Sequence, residues 1–320
     1  MVNPTEQRPT DDSEAERGFG YVNGRFVPLH EACIPLLDWG FNKSDVVYDG
    51  IPFASGRIFR LQDHLDRFAE SMRKWRLPPP CESQHLVRVC HDLIVRSGLR
   101  NGIVYLCTTR GLPPSPKIRD PAKFQSRLYG WSQELPQLGT PDQLESGLSM
   151  IISHVPRIPA ASVDATAKNF HWGDLIQARL EASDRGAQNA ILLTNDGFVA
   201  EGVGFNLFAV IDGQLKTPDR DCLHGITRRT VLEIASDLKI DAAVADFPAA
   251  ALANSQEVFI TSSAGGIFAV TTLEGRSVGN GKFGRLTRRI ADEYWIRRVS
   301  ERWSTPVDYA ALRTETITGD

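Results

Sequence analysis

Asp164-Ala165-Thr166-Ala167-Lys168-Asn169-Phe170-His171-Trp172-Gly173-Asp174 sets one lysine between an apolar, β-leaning segment (148–155) and an amphipathic helix predicted over 174–183. An ammonium withdrawn from water is costly, so its pKa falls toward neutrality. The free amine then becomes a nucleophile able to form a Schiff base with an aldehyde. A solvated lysine in a turn before a helix has the same local sequence, and the rest of the chain decides between the two.

Glu201 follows Phe198-Val199-Ala200 and precedes Gly202-Val203-Gly204-Phe205-Asn206. A carboxylate at a strand end, beside glycines that admit a ligand to the backbone, can keep a pyridine nitrogen protonated so that the ring acts as an electron sink. Gly225-Ile226-Thr227-Arg228 opens a helix predicted over 229–238, where free N–H groups and the helix dipole favour a phosphate. Ser262-Ser263-Ala264-Gly265-Gly266 ends a predicted strand over 257–261 and offers a second anion nest. A lysine, a ring-nitrogen carboxylate and two phosphate cradles together match the needs of pyridoxal 5′-phosphate.

The chain also resembles the fold type IV pyridoxal-phosphate aminotransferases, most closely the (R)-selective amine transaminases, with D-amino-acid and branched-chain aminotransferases further off. The resemblance runs from about Gly18 to the last helix. It rests on Leu36-Leu37-Asp38-Trp39-Gly40-Phe41, Ser44-Asp45-Val46-Val47-Tyr48-Asp49 and the helix motif His64-Leu65-Asp66-Arg67, besides the three stretches above and the lysine segment. It implies an α+β chain of two domains: a smaller N-terminal α/β domain and a larger barrel-like one, with the cofactor between them.

Composition agrees. The chain has 320 residues, 42% of them hydrophobic, and a net charge of −3, which suits a globular enzyme and argues against a nucleic-acid partner. No apolar run approaches the roughly 20 residues of a spanning helix, and 1–17 is polar and acidic, unlike a signal peptide. Cys33, Cys81, Cys90, Cys107 and Cys222 lack paired spacing, so reduced thiols in a cytoplasmic protein without a metal site are expected.

The predicted organisation is a tail over 1–17, a small domain over 18–134, a linker over 135–147 rich in Pro, Gly and Thr, and a large domain over 148–320. Asn23-Gly24 marks a hairpin turn, 29–43 reads mostly as loop, and 46–54 as a strand. Leu65, Phe68, Met72 and Trp75 give a helix over 62–75 one apolar stripe. A second helix fits 82–97, strands fit 103–109 and 127–132, and a last helix fits 281–302, with Tyr294-Trp295 as packing residues.

By resemblance, Lys168 holds the cofactor as a Schiff base and moves the proton, while Glu201 meets the ring nitrogen. Arg67, Ile226, Thr227 and Ser263 grip the phosphate; Tyr48 reaches the 3′-oxygen or the pocket, and Asn206 stands near the ring. His64 is read as structural and Arg60 as a surface group. Tyr48, Lys43, Phe53, Lys117, Arg119, Trp172 and Ala264 are the expected substrate contacts. Two departures matter here. The (R)-amine transaminases carry a histidine where this chain has Lys43, and a mobile-loop arginine where it reads Pro113-Pro114-Ser115-Pro116-Lys117-Ile118-Arg119. The resemblance implies transfer of an amino group from an (R)-amine or D-amino acid to a keto acid such as pyruvate, by a homodimer. A branched-chain aminotransferase and an aminodeoxychorismate-type lyase are the alternatives within the fold.

Overall fold

Residues 18–22, 24–136 and 146–311 are described by the structure, a computed structural model. Its first part comprises β1 (Phe19–Val22), β2 (Arg25–Pro28), α1 (Trp39–Lys43), β3 (Val46–Ala54), β4 (Arg57–Phe59), α2 (Leu61–Lys74), α3 (Ser83–Ser97), β5 (Gly102–Thr109) and β6 (Arg127–Gln133). The strands pair antiparallel throughout. Side chains alternate across a strand, and β3 uses both faces. Val47, Ile51 and Phe53 pack with Leu65, Phe68 and Met72 of α2 and with Leu86, Val89 and Leu93 of α3. Val46 and Tyr48 point the other way, beside Cys107 and Tyr129.

The predicted hairpin joins β1 to β2, with Gly24 at φ 79°; Asn23 lies outside the described residues. The segment expected as loop over 29–43 contains α1 instead. Asp38, fully buried, caps α1 by accepting from the Gly40 N–H at 2.8 Å, and it also accepts from the hydroxyls of Thr109 and Tyr129. Five residues are too few to show a helical period, so its anchor on β5 and β6 was invisible locally.

The second part comprises β7 (Leu148–Ile152), α4 (Gly173–Asp184), β8 (Asn189–Leu193), β9 (Val199–Gly202), β10 (Asn206–Ile211), β11 (Gln214–Thr217), α5 (Ile226–Asp237), β12 (Ala242–Val244), β13 (Glu257–Ser262), β14 (Gly266–Leu273), β15 (Arg276–Ser277), α6 (Arg285–Val299) and β16 (Ser304–Pro306). The strand order is β12-β11-β10-β13-β14-β7-β8-β9, with β15 on β14. The turn after β9 brings the chain back so that the Gly202 N–H donates to the Phe205 carbonyl at 3.1 Å, and the sheet curls toward a barrel. Along β10, Leu207 and Ala209 face the inside of that curl, while Phe208 and Val210 face α5 and α6. Tyr294 is buried there as expected, but Trp295 is 45% exposed.

Most of the expected linker (137–145) and the whole predicted tail lie outside the described residues. After α6 the chain returns to the first sheet, where β16 pairs with β4. The last strand therefore sits with the first sheet rather than with the elements that precede it. Among the described residues no helix is long and apolar enough to cross a membrane, and no group of three or more His, Cys, Asp or Glu is placed to hold a metal ion.

Candidate active site

A cavity of about 310 Å³ lies between the two layers, and Lys168 lines it. The lysine segment is tied down through its backbone. The Lys168 carbonyl accepts from the Tyr48 N–H at 2.9 Å, and the Lys168 N–H donates to Ser71 Oγ of α2 at 3.1 Å. One helical turn on, Lys74 pairs with Asp164 at 3.2 Å and donates to Thr166. The side chain lies over the Tyr48 ring, with Nζ 4.3 Å from its centroid. Burial, helped by the nearby Arg67 charge, pulls the Lys168 pKa down to about 8 against the opposing pull of Asp49 and Glu201.

Glu201, buried near the end of β9, faces the same cavity. Its Oε1 accepts from Arg157 Nε at 3.0 Å and its Oε2 from the Leu223 N–H at 2.9 Å. Asn206 Nδ2 donates to the Leu223 carbonyl at 2.6 Å, so Asn206 braces the segment that braces Glu201. Burial raises the Glu201 pKa, and Arg157 is the strongest influence against it. Sequence reasoning missed Arg157. The available signal was an arginine set in the apolar run Val155-Pro156-Arg157-Ile158-Pro159, where a charge needs partners. Those partners, Asp174 and Glu201, stand 17 and 44 residues away.

α5 begins at Ile226, three residues earlier than expected, with its N-terminus on the cavity. Its N-cap Gly225 supplies no side-chain acceptor, leaving the first N–H groups for a ligand. A Cβ on Gly225 would meet Asn206 Oδ1 at 2.3 Å, so a side chain there would displace the brace. Thr227, Ser263 and Ala264 line the cavity, as does Thr261, whose Oγ1 is buried without a partner among the described residues. Arg67 lines the cavity from α2. Amide donors, hydroxyls, a guanidinium, an amine and a carboxylate around one cavity fit pyridoxal 5′-phosphate: an anionic group, an aldehyde and a ring nitrogen have matching partners.

Of the expected substrate contacts, Tyr48, Trp172 and Ala264 line the cavity. Phe53 does not. It is fully buried on the helix-facing side of β3, five positions from Tyr48 and hence on the other face of the strand. Lys43 ends α1, and Lys117 and Arg119 lie in the loop before β6; all three are exposed and none lines the cavity. Arg60 is not a surface group. It is 8% exposed, pairs with Asp63 and Glu233, donates to Thr230 at 2.9 Å and stacks on Trp303. His64 is fully buried against Asp49 at 2.7 Å, away from the cavity lining.

The amino-transferase class IV model matches residues 46–273. The chain is 28% identical to a putative branched-chain-amino-acid aminotransferase of Methanocaldococcus jannaschii, covering 90% of this chain and 98% of the relative. It is 27% identical to the D-alanine aminotransferase of Staphylococcus haemolyticus, covering 86% of this chain and 95% of that one. Among solved structures it superposes on the T.th. branched-chain amino acid aminotransferase with pyridoxamine 5′-phosphate at a TM-score of 0.85, with 28% identity over 91% of this chain and 99% of the other. The cofactor of this chain is pyridoxal 5′-phosphate. The chain belongs to the amino-transferase class IV family, the fold type IV pyridoxal-phosphate aminotransferases.

Proposed function

We propose that this aminotransferase takes an amino group from an (R)-amine or D-amino acid with an apolar substituent and passes it to a keto acid such as pyruvate. One observation carries the donor class. Both arginines that line the cavity already meet carboxylates of the protein, Arg67 meeting Asp49 and Arg157 meeting Glu201 and Asp174. The remaining wall is rich in Tyr48, Ile103, Tyr105, Trp172 and Val203. A neutral apolar group enters such a wall without stranding a charge, whereas a fixed unpaired cation would disfavour it by desolvation.

The bound cofactor supplies the carbonyl that captures the amino group and the ring that withdraws its electrons. Lys168 Nζ would hold the cofactor's aldehyde carbon and would move a proton to and from the substrate carbon, a task suited to an amine whose pKa burial has lowered. The Glu201 carboxylate holds the proton on the ring nitrogen. Arg67, the Ile226 and Thr227 N–H groups, and the Thr227 and Ser263 hydroxyls hold the phosphate. Burial raises the Tyr48 phenol, which stays a hydrogen-bond donor at neutral pH. Trp172 covers the lysine side and excludes water. The enzyme works in the cytoplasm as a homodimer.

A donor panel tests the reading. The yellow protein should bleach with (R)-1-phenylethylamine or D-alanine and be restored by pyruvate. Bleaching only by branched-chain L-amino acids would replace this reading with that of a branched-chain aminotransferase.

A further inference from the structure

Glu201 and Asp174, both buried, share one cation. Arg157, itself only 6% exposed, sends Nε to Glu201 Oε1 at 3.0 Å and Nη1 to Asp174 Oδ2 at 2.6 Å. Asp174 is already well served: its oxygens also accept from the Ile158 N–H at 2.8 Å and the Leu175 N–H at 2.9 Å, and it sits in the first turn of α4, where the helix dipole favours a negative charge. Among the described residues, Glu201 accepts from the Leu223 N–H alone besides Arg157. The guanidinium is thus worth more to Glu201 than to Asp174.

We propose that Arg157 is a positioning residue that keeps Glu201 ionised toward the cavity and so decides which side of the Glu201–ring-nitrogen contact holds the proton. The inference rests on the reading that Glu201 meets the cofactor's ring nitrogen. One proton is shared there, on the nitrogen beside a carboxylate or on the carboxyl beside a neutral nitrogen. Arg157 lies on the carboxylate side, so its charge stabilises the first arrangement more than the second. Without it, burial favours the neutral carboxyl; the proton moves from nitrogen to Glu201 Oε, no other bond changes, and the ring loses its pull on electrons.

A merely structural role would have Arg157 tie the 153–158 segment to α4 through Asp174, and the two roles predict different signs. Removing Asp174 leaves more of the guanidinium to Glu201 and should keep the nitrogen protonated. If the tie were what mattered, losing either end would act alike.

The test is the ring-nitrogen chemical shift of holoenzyme loaded with cofactor labelled with 15N in the ring, followed from pH 6 to 9. Wild type and Asp174→Asn should show the protonated nitrogen. Arg157→Met, and Arg157→Gln should the methionine variant fail to fold, should show the unprotonated one, and Arg157→Lys should restore most of the protonated signal. Glu201→Gln must also give the unprotonated nitrogen; if it does not, the reading of Glu201 fails. If it does, and both neutral variants at 157 keep the wild-type shift, the role of Arg157 is overturned. It is equally overturned if Asp174→Asn loses the protonated signal as Arg157→Met does.

Discussion

Arg67 meets Asp49 in a two-point clamp, Nε to Oδ2 and Nη2 to Oδ1, both at 2.8 Å. Asp49 is fully buried on the helix side of β3, and His64 Nδ1 shares its Oδ1 at 2.7 Å. The clamp uses Nε and Nη2 of the guanidinium, and the same side chain lines the cavity. Arg67 holds the Asp49 carboxyl far below the usual range against the cost of burial, and burial keeps His64 neutral.

Asp49→Asn should therefore cost stability and cofactor affinity together. Removing one partner of a buried pair leaves the other charge uncompensated, about 3 kcal/mol, read as a lower Tm. The freed guanidinium also loses its fixed orientation, so cofactor affinity should fall by about tenfold, or 1.4 kcal/mol. Equilibrium dialysis showing wild-type affinity would deny Asp49 this orienting role.

Lys168→Met should abolish amine-dependent bleaching while leaving the fold intact. It should also raise the Tm of cofactor-free protein at pH 7. The lysine has a folded pKa of about 8 against 10.5 unfolded. Below about pH 8 it is protonated in both states and its burial cost is felt in full. Between 8 and 10.5 the folded state sheds the proton first and the cost fades. The gain in Tm should thus shrink as pH rises toward 10.5, and a pH-independent difference would refute the shift.

Glu201→Gln should bind cofactor yet lose at least ~100-fold in turnover, about 2.7 kcal/mol of barrier. The amide cannot hold the ring nitrogen protonated. Unchanged single-turnover rates would place the electron-sink carboxylate elsewhere.

Keto-acid recognition should depend on the loop that carries Lys117 and Arg119. Neither lines the cavity and both are exposed on a loop, so their role requires that loop to close over the site; Lys43 is set at the end of α1. Replacing Lys117 or Arg119 with Ala should raise the KM for pyruvate several-fold and spare the half-reaction with (R)-1-phenylethylamine. If pyruvate kinetics ignore both replacements, neutral donors of the Ser262–Ala264 turn become the carboxylate site.

Homodimerisation should cover the apolar side chains left on the surface around α1. Ile34 (38% exposed), Leu36 (73%), Leu37 (63%) and Phe41 (58%) cluster in sequence there, more than a monomer ordinarily leaves in water. Light scattering should give twice the chain mass, and Leu36→Asp with Phe41→Asp should weaken the assembly. An active monomer would count against it.

The chain alone determined what depends on near neighbours. The stripe Leu65–Phe68–Met72 made α2 legible, 46–54 matched β3 in full, and the glycine of Asn23-Gly24 marked the turn between β1 and β2. Lys168, Glu201 and the Gly225 turn were legible because an amine, a carboxylate and a phosphate cradle each leave a local signature. Folding decided which groups meet across long separations. Arg157 with Glu201, Arg67 with Asp49, and Arg60 with Glu233 are pairs 44, 18 and 173 residues apart, and an isolated arginine does not say which carboxylate will neutralise it. Folding also decided faces: Tyr48 lines the cavity and Phe53 the core because β3 is covered by helices on one side and opens to the site on the other. Side-chain alternation is written in the chain, but which of its two faces meets the ligand is settled only when the layers pack.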